Sequence, residues 1–459
     1  MPTQYDAIII GTGQSGPSLA GRLAGAGMKV AIIERKRFGG TCVNTGCIPT
    51  KTLVASARAA YVARRGVSFG VIIDGPISVD MKQIKARKDK IVLGSTTGIE
   101  KWLKSTENLT VYEGHGRFEG PHTVRVGEEL LEGDKIFINV GGRASVPPIP
   151  GLDSVQYLTN SSIMDVDFLP EHLVILGGSY IGLEFGQMYR RFGSEVTVIQ
   201  HGPHLLSRED EDVSTTVREI VENEGVNVLN NATDQRVENR DGQVAVNTKC
   251  NGEPTEVLGS HLLVATGRVP NTHDIGLEEA GIEVDERGYI QADDQLRTNV
   301  QGVWVMGDCN GKGAFTHTSY NDFEIVAGNL LDDDPRRVSD RIFAYALFID
   351  PPLGRVGMTE REVRNSGRKA LIAKRPMTAV ARAVEKGETQ GFMKFLVDSE
   401  SKEILGAAIL GVGGDEVIHS VLDVMYAKAP YTVILRAMHI HPTVSELIPT
   451  ALGDLKPLE

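Results

Sequence analysis

Phe38-Gly39-Gly40-Thr41-Cys42-Val43-Asn44-Thr45-Gly46-Cys47-Ile48-Pro49-Thr50-Lys51 holds two of the four cysteines in a chain of 459 residues. Four residues separate Cys42 from Cys47. On an ideal helix their Cα atoms would stand roughly 8.6 Å apart, whereas a disulfide wants less than about 7 Å. Either the pair is unbridged or the helix is distorted, and Gly46 makes distortion easy. A bridge closing so short a loop in strained backbone is readily reduced, which suits redox work better than stapling. Two buried structural cysteines, or half of a zinc site, are the competing readings. Zinc wants four Cys or His ligands at paired short spacing, and no second pair is offered.

Upstream lies a strand-turn-helix-strand unit. Asp6 to Ile10 reads as a buried strand, Gly11-Thr12-Gly13-Gln14-Ser15-Gly16 as a glycine-rich turn opening a helix, and Lys29 to Ile33 as the next strand. The glycines supply a tight turn, room for a pyrophosphate and close helix–sheet packing. The helix N-terminus offers free N–H groups to phosphate. Glu34 lies 23 residues after Gly11, where a carboxylate accepts from ribose hydroxyls. This unit reads as a dinucleotide site.

Downstream, a helix continues through Leu53 to Ala57, and residues 81–104 read as a longer one. Its basic residues Lys82, Lys85, Arg87, Lys88 and Lys90 read as a solvated face. Strands are expected near 109–118, 123–126 and 135–140. The proline-rich run Val146 to Gly151 marks a boundary. A second unit then begins: the strand Leu173 to Leu176, the turn Gly177-Gly178-Ser179-Tyr180-Ile181-Gly182, and the strand Glu195 to Ile199. Ser179 replaces the middle glycine. Gln200 and His201 stand where Glu34 stands in the first unit, so nothing repels the extra phosphate of NADP. That favours NADPH, with His201, His204 and Arg208 as candidate cations. Two dinucleotide units and a reducible cysteine pair imply an electron relay from a nicotinamide through a flavin.

The remaining chain is less explicit. Val303 to Asp308 is a strand ending in Gly-Asp, well placed to touch a ligand. Beyond 341, strands are expected at 392–397 and 404–412 and helices at 414–427 and 432–438. His441 and Glu446 flank a proline turn and could form a His–carboxylate pair or be two surface residues. Cys250, in a hairpin-like stretch, and Cys309 read as bystanders. The net charge of -12 disfavours nucleic acid and anionic membranes as partners. No apolar run reaches the length of a membrane span. The opening MPTQYDAIII reads as a turn and strand rather than a signal peptide, and sparse cysteines suit a reducing, cytoplasmic setting.

Taken together, residues 39–51, Ala265 to Asn271 (ATGRVPN), Met306 to Asp308, Asp350 to Glu360 (DPPLGRVGMTE) and His441 to Glu446 (HPTVSE) resemble, in order, the pyridine nucleotide–disulfide oxidoreductases. The resemblance implies an α/β fold with two Rossmann-like domains and an α+β dimerisation domain. FAD would occupy 1–147 and 270–340, NAD(P) 148–269, and the dimer interface 341–459. It implies a homodimer using FAD with NADPH or NADH. Cys47 then resembles the flavin-proximal thiol and Cys42 the interchange thiol. Lys51 and Glu184 resemble the ion pair beside the flavin. His441, steered by Glu446, would serve the partner's site as acid–base. FAD contacts would come from Gly11, Gly13, Ser15, Gly16, Glu34, Arg35, Gly40, Thr41, Lys51, Gly116, Gly141, Asp308 and Thr316. NAD(P) contacts would come from Gly177, Ser179, Tyr180, Gly182, Gln200, Gly267 and Arg268, with Tyr180 covering the nicotinamide pocket.

The acceptor is open at this stage. Dihydrolipoamide dehydrogenases share His317 and the His441–Glu446 pair but usually carry an acid at position 200. Glutathione reductases share Tyr180 but carry arginines for the NADP phosphate. Mercuric reductases deliver Hg²⁺ through a C-terminal cysteine pair, whereas this chain ends TALGDLKPLE. Even so, KIFINVGG, VPPIPGL and RAVEKGETQGFMK look most like the mercuric-reductase-like branch. No resident metal is expected, only transient contact of a substrate ion with Cys42 and Cys47, whose soft thiolates suit Hg²⁺ or Cu ions. The expected acceptor is therefore a metal ion or a small disulfide. A flavin-bound NAD(P)H sensor without fast turnover is the alternative of another class.

Overall fold

The computed structural model describes residues 1–459, and its helices and strands form three bodies. In the first, the strands run in the order Leu109–Glu113, Val30–Glu34, Thr3–Ile10, Glu129–Ile138, Thr123–Val126 and Gly116–Gly120. Val303–Val305 returns to pair in parallel with Glu129–Ile138. Ile8, Ile10 and Ile33 pack into one core, while Ala7, Ile9 and Ile32 pack into another. This sheet is buried on both faces, which explains why its central strands read as continuous apolar runs. The single strand expected at 109–118 is two strands, parted at Gly114-His115, because they join different partners: Leu109–Glu113 pairs in parallel with Val30–Glu34, whereas Gly116–Gly120 forms a hairpin with Thr123–Val126.

The second sheet is parallel, ordered Asn227–Leu229, Glu195–Ile199, His172–Leu176, His261–Val264 and Tyr157–Leu158. Beside it stands an antiparallel meander of Ala232–Arg240, Gln243–Cys250 and Glu253–Gly259. Its turns are Asp241-Gly242 and Asn251-Gly252, all four residues at positive φ, as two-residue hairpins of this hand require. The chain crosses into and out of this body side by side, since Gly142–Ala144 pairs with Arg268–Pro270. The third sheet is antiparallel, from Ala344–Leu347 through Leu353–Gly357, Ile404–Leu410, Phe392–Asp398 and Ala370–Pro376 to Lys456–Pro457. Helix Gly414–Tyr426 covers it. The helix expected at 432–438 is shorter, Thr432–Leu435.

One expectation is overturned. Helix Met81–Ser105 is capped by Asp80, which accepts from Gln83 N at 3.1 Å, but its basic run is not one solvated face. Lys88 is only 3% exposed, and its Nζ donates to Met164 O at 2.7 Å. Arg87 donates to Thr52 O at 2.9 Å. Both side chains thus end on backbone carbonyls of neighbouring segments rather than in water.

The second and third bodies meet at a buried cation. Lys394 Nζ, on a side chain 1% exposed, lies 2.8 Å from Asp210 and 2.7 Å from Asp212. Burial raises both carboxyls, but the Lys394 hydrogen bond to Asp210 and those of Lys374 and Lys394 to Asp212 hold them below the ordinary range. Their stabilising contribution is therefore complete above about pH 4 and is lost as pH falls through the depressed folded values. Removing one member of such a pair strands the others. Lys394→Met is expected to cost about 3–5 kcal/mol, read as a lower denaturant midpoint at unchanged slope.

Candidate active site

The first glycine turn is shaped by clashes that any side chain would cause. Gly11 sits at φ +106°, and a Cβ there would fall 2.3 Å from Asn139 O. A Cβ on Gly13 would meet Asn139 Oδ1 at 2.6 Å, and one on Gly16 would meet Gly11 O at 2.3 Å. Asn139, absent from the sequence reading, ties this turn to the returning segment. Its Nδ2 donates to Ser15 Oγ and to Met306 O, each at 3.1 Å. Glu34 accepts from Thr12 N at 3.1 Å, Thr12 Oγ1 at 2.5 Å and Lys36 N at 2.8 Å. Arg35 is held by Asp274 at 2.8 Å. Burial pushes the Asp308 carboxyl above the usual range, opposed by Arg268, 3.5 Å away. Gly116 and Gly141 lie at the strand ends bordering this turn, Gly141 at φ +64°. These residues suit FAD: a cradle of N–H groups, a carboxylate at the strand end and a second acid opposite.

Gly40, at φ +61°, joins the cradle to the thiols, because a Cβ on it would lie 2.8 Å from Gly13 Cα. It opens the short helix Gly40–Asn44, which carries Thr41 and Cys42. The chain breaks at Thr45-Gly46 and restarts as helix Cys47–Arg64. A Cβ on Gly46 would come within 2.8 Å of Thr41 O. The helix is thus broken between the two cysteines, which stand within hydrogen-bond reach of each other as unbridged thiols. No cluster of three or more His, Cys, Asp or Glu side chains offers itself to a metal ion, leaving the half-zinc reading without its other half.

The two sulfurs are unequal. Cys47 is lowered to about 6, first by the hydrogen bond from Cys42, against burial, and then by Thr316 and Lys51. Cys42 is pushed up by the same hydrogen bond and by burial. Cys47 also heads an 18-residue helix, a position that favours thiolate. Thr316 Oγ1 lies 3.0 Å from Cys47 Sγ. One turn beyond Cys47, Lys51 Nζ pairs with Glu184 at 2.7 Å and sits 4.3 Å over the Phe348 ring. Glu184 also accepts from Phe348 N at 3.0 Å. Thr316→Ala is expected to move thiolate formation above pH 6, tracked by the ultraviolet absorbance of the thiolate in the reduced enzyme.

The second turn repeats the first with changes. Gly177 is at φ +111°, with a Cβ position 2.4 Å from Ala265 O, and a Cβ on Gly182 would meet Gly177 O at 2.0 Å. Ser179 is extended and exposed, so its side chain fits where the fingerprint has glycine. Gln200 Oε1 accepts from Gly178 N at 2.9 Å, taking the place of an acid. His201, His204 and Arg208 are exposed nearby in sequence. Gly267, at φ +132°, precedes Arg268. Tyr180 leans on Phe315 with ring centroids 5.8 Å apart. At the far end of the chain His441 Nδ1 lies 3.0 Å from both Glu446 oxygens. The His441 side chain is 75% exposed, and beside it Met438 and Ile440 are 99% and 79% exposed. Of the remaining cysteines, Cys309 is fully buried in the first core and Cys250 ends a hairpin strand.

Two dinucleotide cradles converging on a lowered thiol define a pyridine nucleotide-disulphide oxidoreductase. The chain belongs to that family: residues 5–322 match its main model and residues 343–452 match its dimerisation domain. Among its relatives, the probable pyridine nucleotide-disulfide oxidoreductase RclA of Escherichia coli is 37% identical over 460 residues, 98% of each chain. The mercuric reductase of Bacillus cereus is 30% identical over 449 residues, covering 95% of this chain and 70% of that one. The solved Cu(II) complex of the HOCl-induced flavoprotein disulfide reductase RclA from E. coli superposes with a TM-score of 0.90 at 36% identity, over 98% of this chain and 100% of the other. This protein is an FAD-dependent disulfide oxidoreductase that uses a pyridine nucleotide, and it carries the family's dimerisation domain. No helix is long and apolar enough to cross a membrane.

Proposed function

We propose that the enzyme passes electrons from NADPH through Cys42 and Cys47 to a metal ion, with Cu²⁺ and Hg²⁺ as the candidate acceptors. The observation that carries this is the paired, unequal thiols, with Cys47 held toward thiolate beside Thr316 and Lys51. Bound FAD supplies the conversion between hydride transfer from the nucleotide and an electron pair at sulfur. Residues 1–147 with 270–340 would hold FAD, residues 148–269 the nucleotide, and residues 341–459 the partner subunit.

Each side chain then has a task. Lys51, neutralised in part by Glu184, favours negative charge near Cys47. Cys42, which resembles the family's interchange thiol, would meet the acceptor. Oxidation of the dithiol to the disulfide releases two electrons and two protons. The electrons reduce one Hg²⁺ to the metal or two Cu²⁺ to Cu⁺. With a disulfide acceptor, His441, oriented by Glu446 and contributed across the dimer, would carry the thiol proton to the product, a role its exposure and exposed apolar neighbours suit, whereas with a metal ion the protons can pass to water. Near the C-terminus, Lys456–Pro457 pairs with Ala370–Pro376 of its own sheet. Soft thiolates bind such ions directly, and the copper complex of the E. coli relative supports the choice. A cytoplasmic setting suits a working dithiol.

A small disulfide is the second reading. It is favoured by the His441–Glu446 pair, because product thiols need protons and a reduced metal ion does not. Steady-state assays of the purified holoenzyme with Cu²⁺, Hg²⁺, lipoamide and oxidised glutathione separate the two. The highest kcat/KM is expected with a metal ion. Lipoamide turnover far above the rest would sink the metal reading.

A further inference from the structure

One aromatic group next to the site takes no part in the steps above. Phe315 stacks with His317 at 5.4 Å and 7°, and with Tyr345 at 5.5 Å and 12°. The Tyr180 ring rests on the same Phe315, and the next residue, Thr316, touches Cys47. The Tyr345 hydroxyl donates to Glu209 Oε1 at 2.6 Å. Glu209 and Arg355 are 3% and 2% exposed, with Arg355 Nε 3.4 Å from Glu209 Oε2.

Glu209 closes the loop that starts at Gln200, directly after the strand leading from the second turn. Arg208, exposed, precedes it. The next residue, Asp210, accepts from Lys394 and from Glu360 N at 3.0 Å. The loop that would face the nucleotide's ribose is thus fastened at its far end to the third body. Tyr345 links that loop, through Glu209, to the aromatic group behind Tyr180.

We propose that Tyr345 is a positioning residue for the pyridine-nucleotide half of the cycle. Through Glu209 it holds the loop from Gln200 to Asp210, and through Phe315 it backs the Tyr180 ring, keeping both in register with the thiols. This rests on the assignment of the 177–182 turn to NAD(P)H. The hydrogen bond matters because its acceptor has no replacement. Glu209 Oε2 is buried without a hydrogen-bond partner, as are Nε and Nη2 of Arg355. Burial pushes the Glu209 carboxyl up, while Arg355 and Tyr345 pull it back. Without the hydroxyl, neither carboxylate oxygen is hydrogen-bonded, and the loop relaxes toward water.

The test is Tyr345→Phe in the FAD-loaded enzyme, which keeps the ring stack and removes only the donor. Flavin reduction is followed by stopped flow with no acceptor present, using whichever of NADPH and NADH the wild type prefers. The apparent Kd for the nucleotide is expected to rise about tenfold, as for a lost hydrogen bond to a charged group. Reoxidation of the pre-reduced enzyme by Cu²⁺ or lipoamide is expected to stay at the wild-type rate. Glu209→Ala, which removes the same bond from the other side, should reproduce this split. A wild-type Kd in Tyr345→Phe overturns the proposal, and so does equal slowing of both half-reactions. If the wild type itself shows no saturable reduction by either nucleotide, the assignment of the turn falls and the proposal with it. The choice of acceptor is not at stake in any of these outcomes.

Discussion

Cys47→Ser is expected to lower turnover with every acceptor by at least about a thousandfold, some 4 kcal/mol of barrier, while FAD and NADPH remain bound. A serine hydroxyl neither ionises near neutral pH nor closes a disulfide, so the electron pair has no sulfur couple to enter. The cradle around Gly11, Gly13 and Gly16 does not include the Cys47 side chain, which is why binding should survive. Steady-state kcat and nucleotide-induced quenching of flavin fluorescence measure the two separately. Cys42→Ala should match it in turnover but differ in the thiol left behind. Cys47 then loses the hydrogen bond that contributes most to its lowering, and its thiolate should form only at higher pH. In the wild type, a rate limited by the Cys47 thiolate is expected to be level at neutral pH and to fall as pH drops through about 6. Turnover persisting in Cys47→Ser would mean that electrons leave by another route.

His441→Ala is expected to slow disulfide reduction by about a hundredfold or more, within the range for loss of a positioned acid–base group. The same variant should cost far less with Cu²⁺ or Hg²⁺, since those products carry no transferred proton. Glu446 is 3.0 Å from Nδ1 and only 14% exposed, so it fixes the ring and leaves Nε2 facing outward. Glu446→Gln should therefore give a smaller loss of the same kind, visible as a changed pH profile with disulfide acceptors. Mixing subunits of His441→Ala and Cys47→Ser tests the dimer directly. Hybrids regain one complete site only if His441 serves the partner's thiols. Activity no higher than that of either parent would refute the shared site.

The cysteine spacing posed a choice that the sequence left open, bridge or no bridge, straight helix or bent. The break at Gly46 settles the second, because it is local and glycine permits it, and the two thiols stand unbridged. The basic run in the helix after Met81 shows the opposite case. Composition suggested a solvated face, but Lys88 is buried against Met164 O. Nothing in the run distinguishes Lys88 from Lys85 or Lys90 until the second body packs on that face. The meander at 232–259 turns at Asp241-Gly242 and Asn251-Gly252, short-range signals of which the hairpin-like stretch around Cys250 is one part. The Lys51–Glu184 pair came with the family resemblance, not from spacing.

What the sequence determined by itself is what short-range geometry dictates. Two turns need glycine because their φ values or close approaches admit no side chain, and a cysteine pair straddles a glycine break. A histidine sits five residues from its carboxylate, near enough for a single turn to join them. Tertiary structure decided the rest. Thr316 meets Cys47 across 269 residues of sequence, Asn139 meets Ser15 across 124, and Tyr345 meets Glu209 across 136. Such contacts exist only after three separately folded sheets have packed, and a side chain's sequence neighbours carry no record of which surface will arrive opposite it.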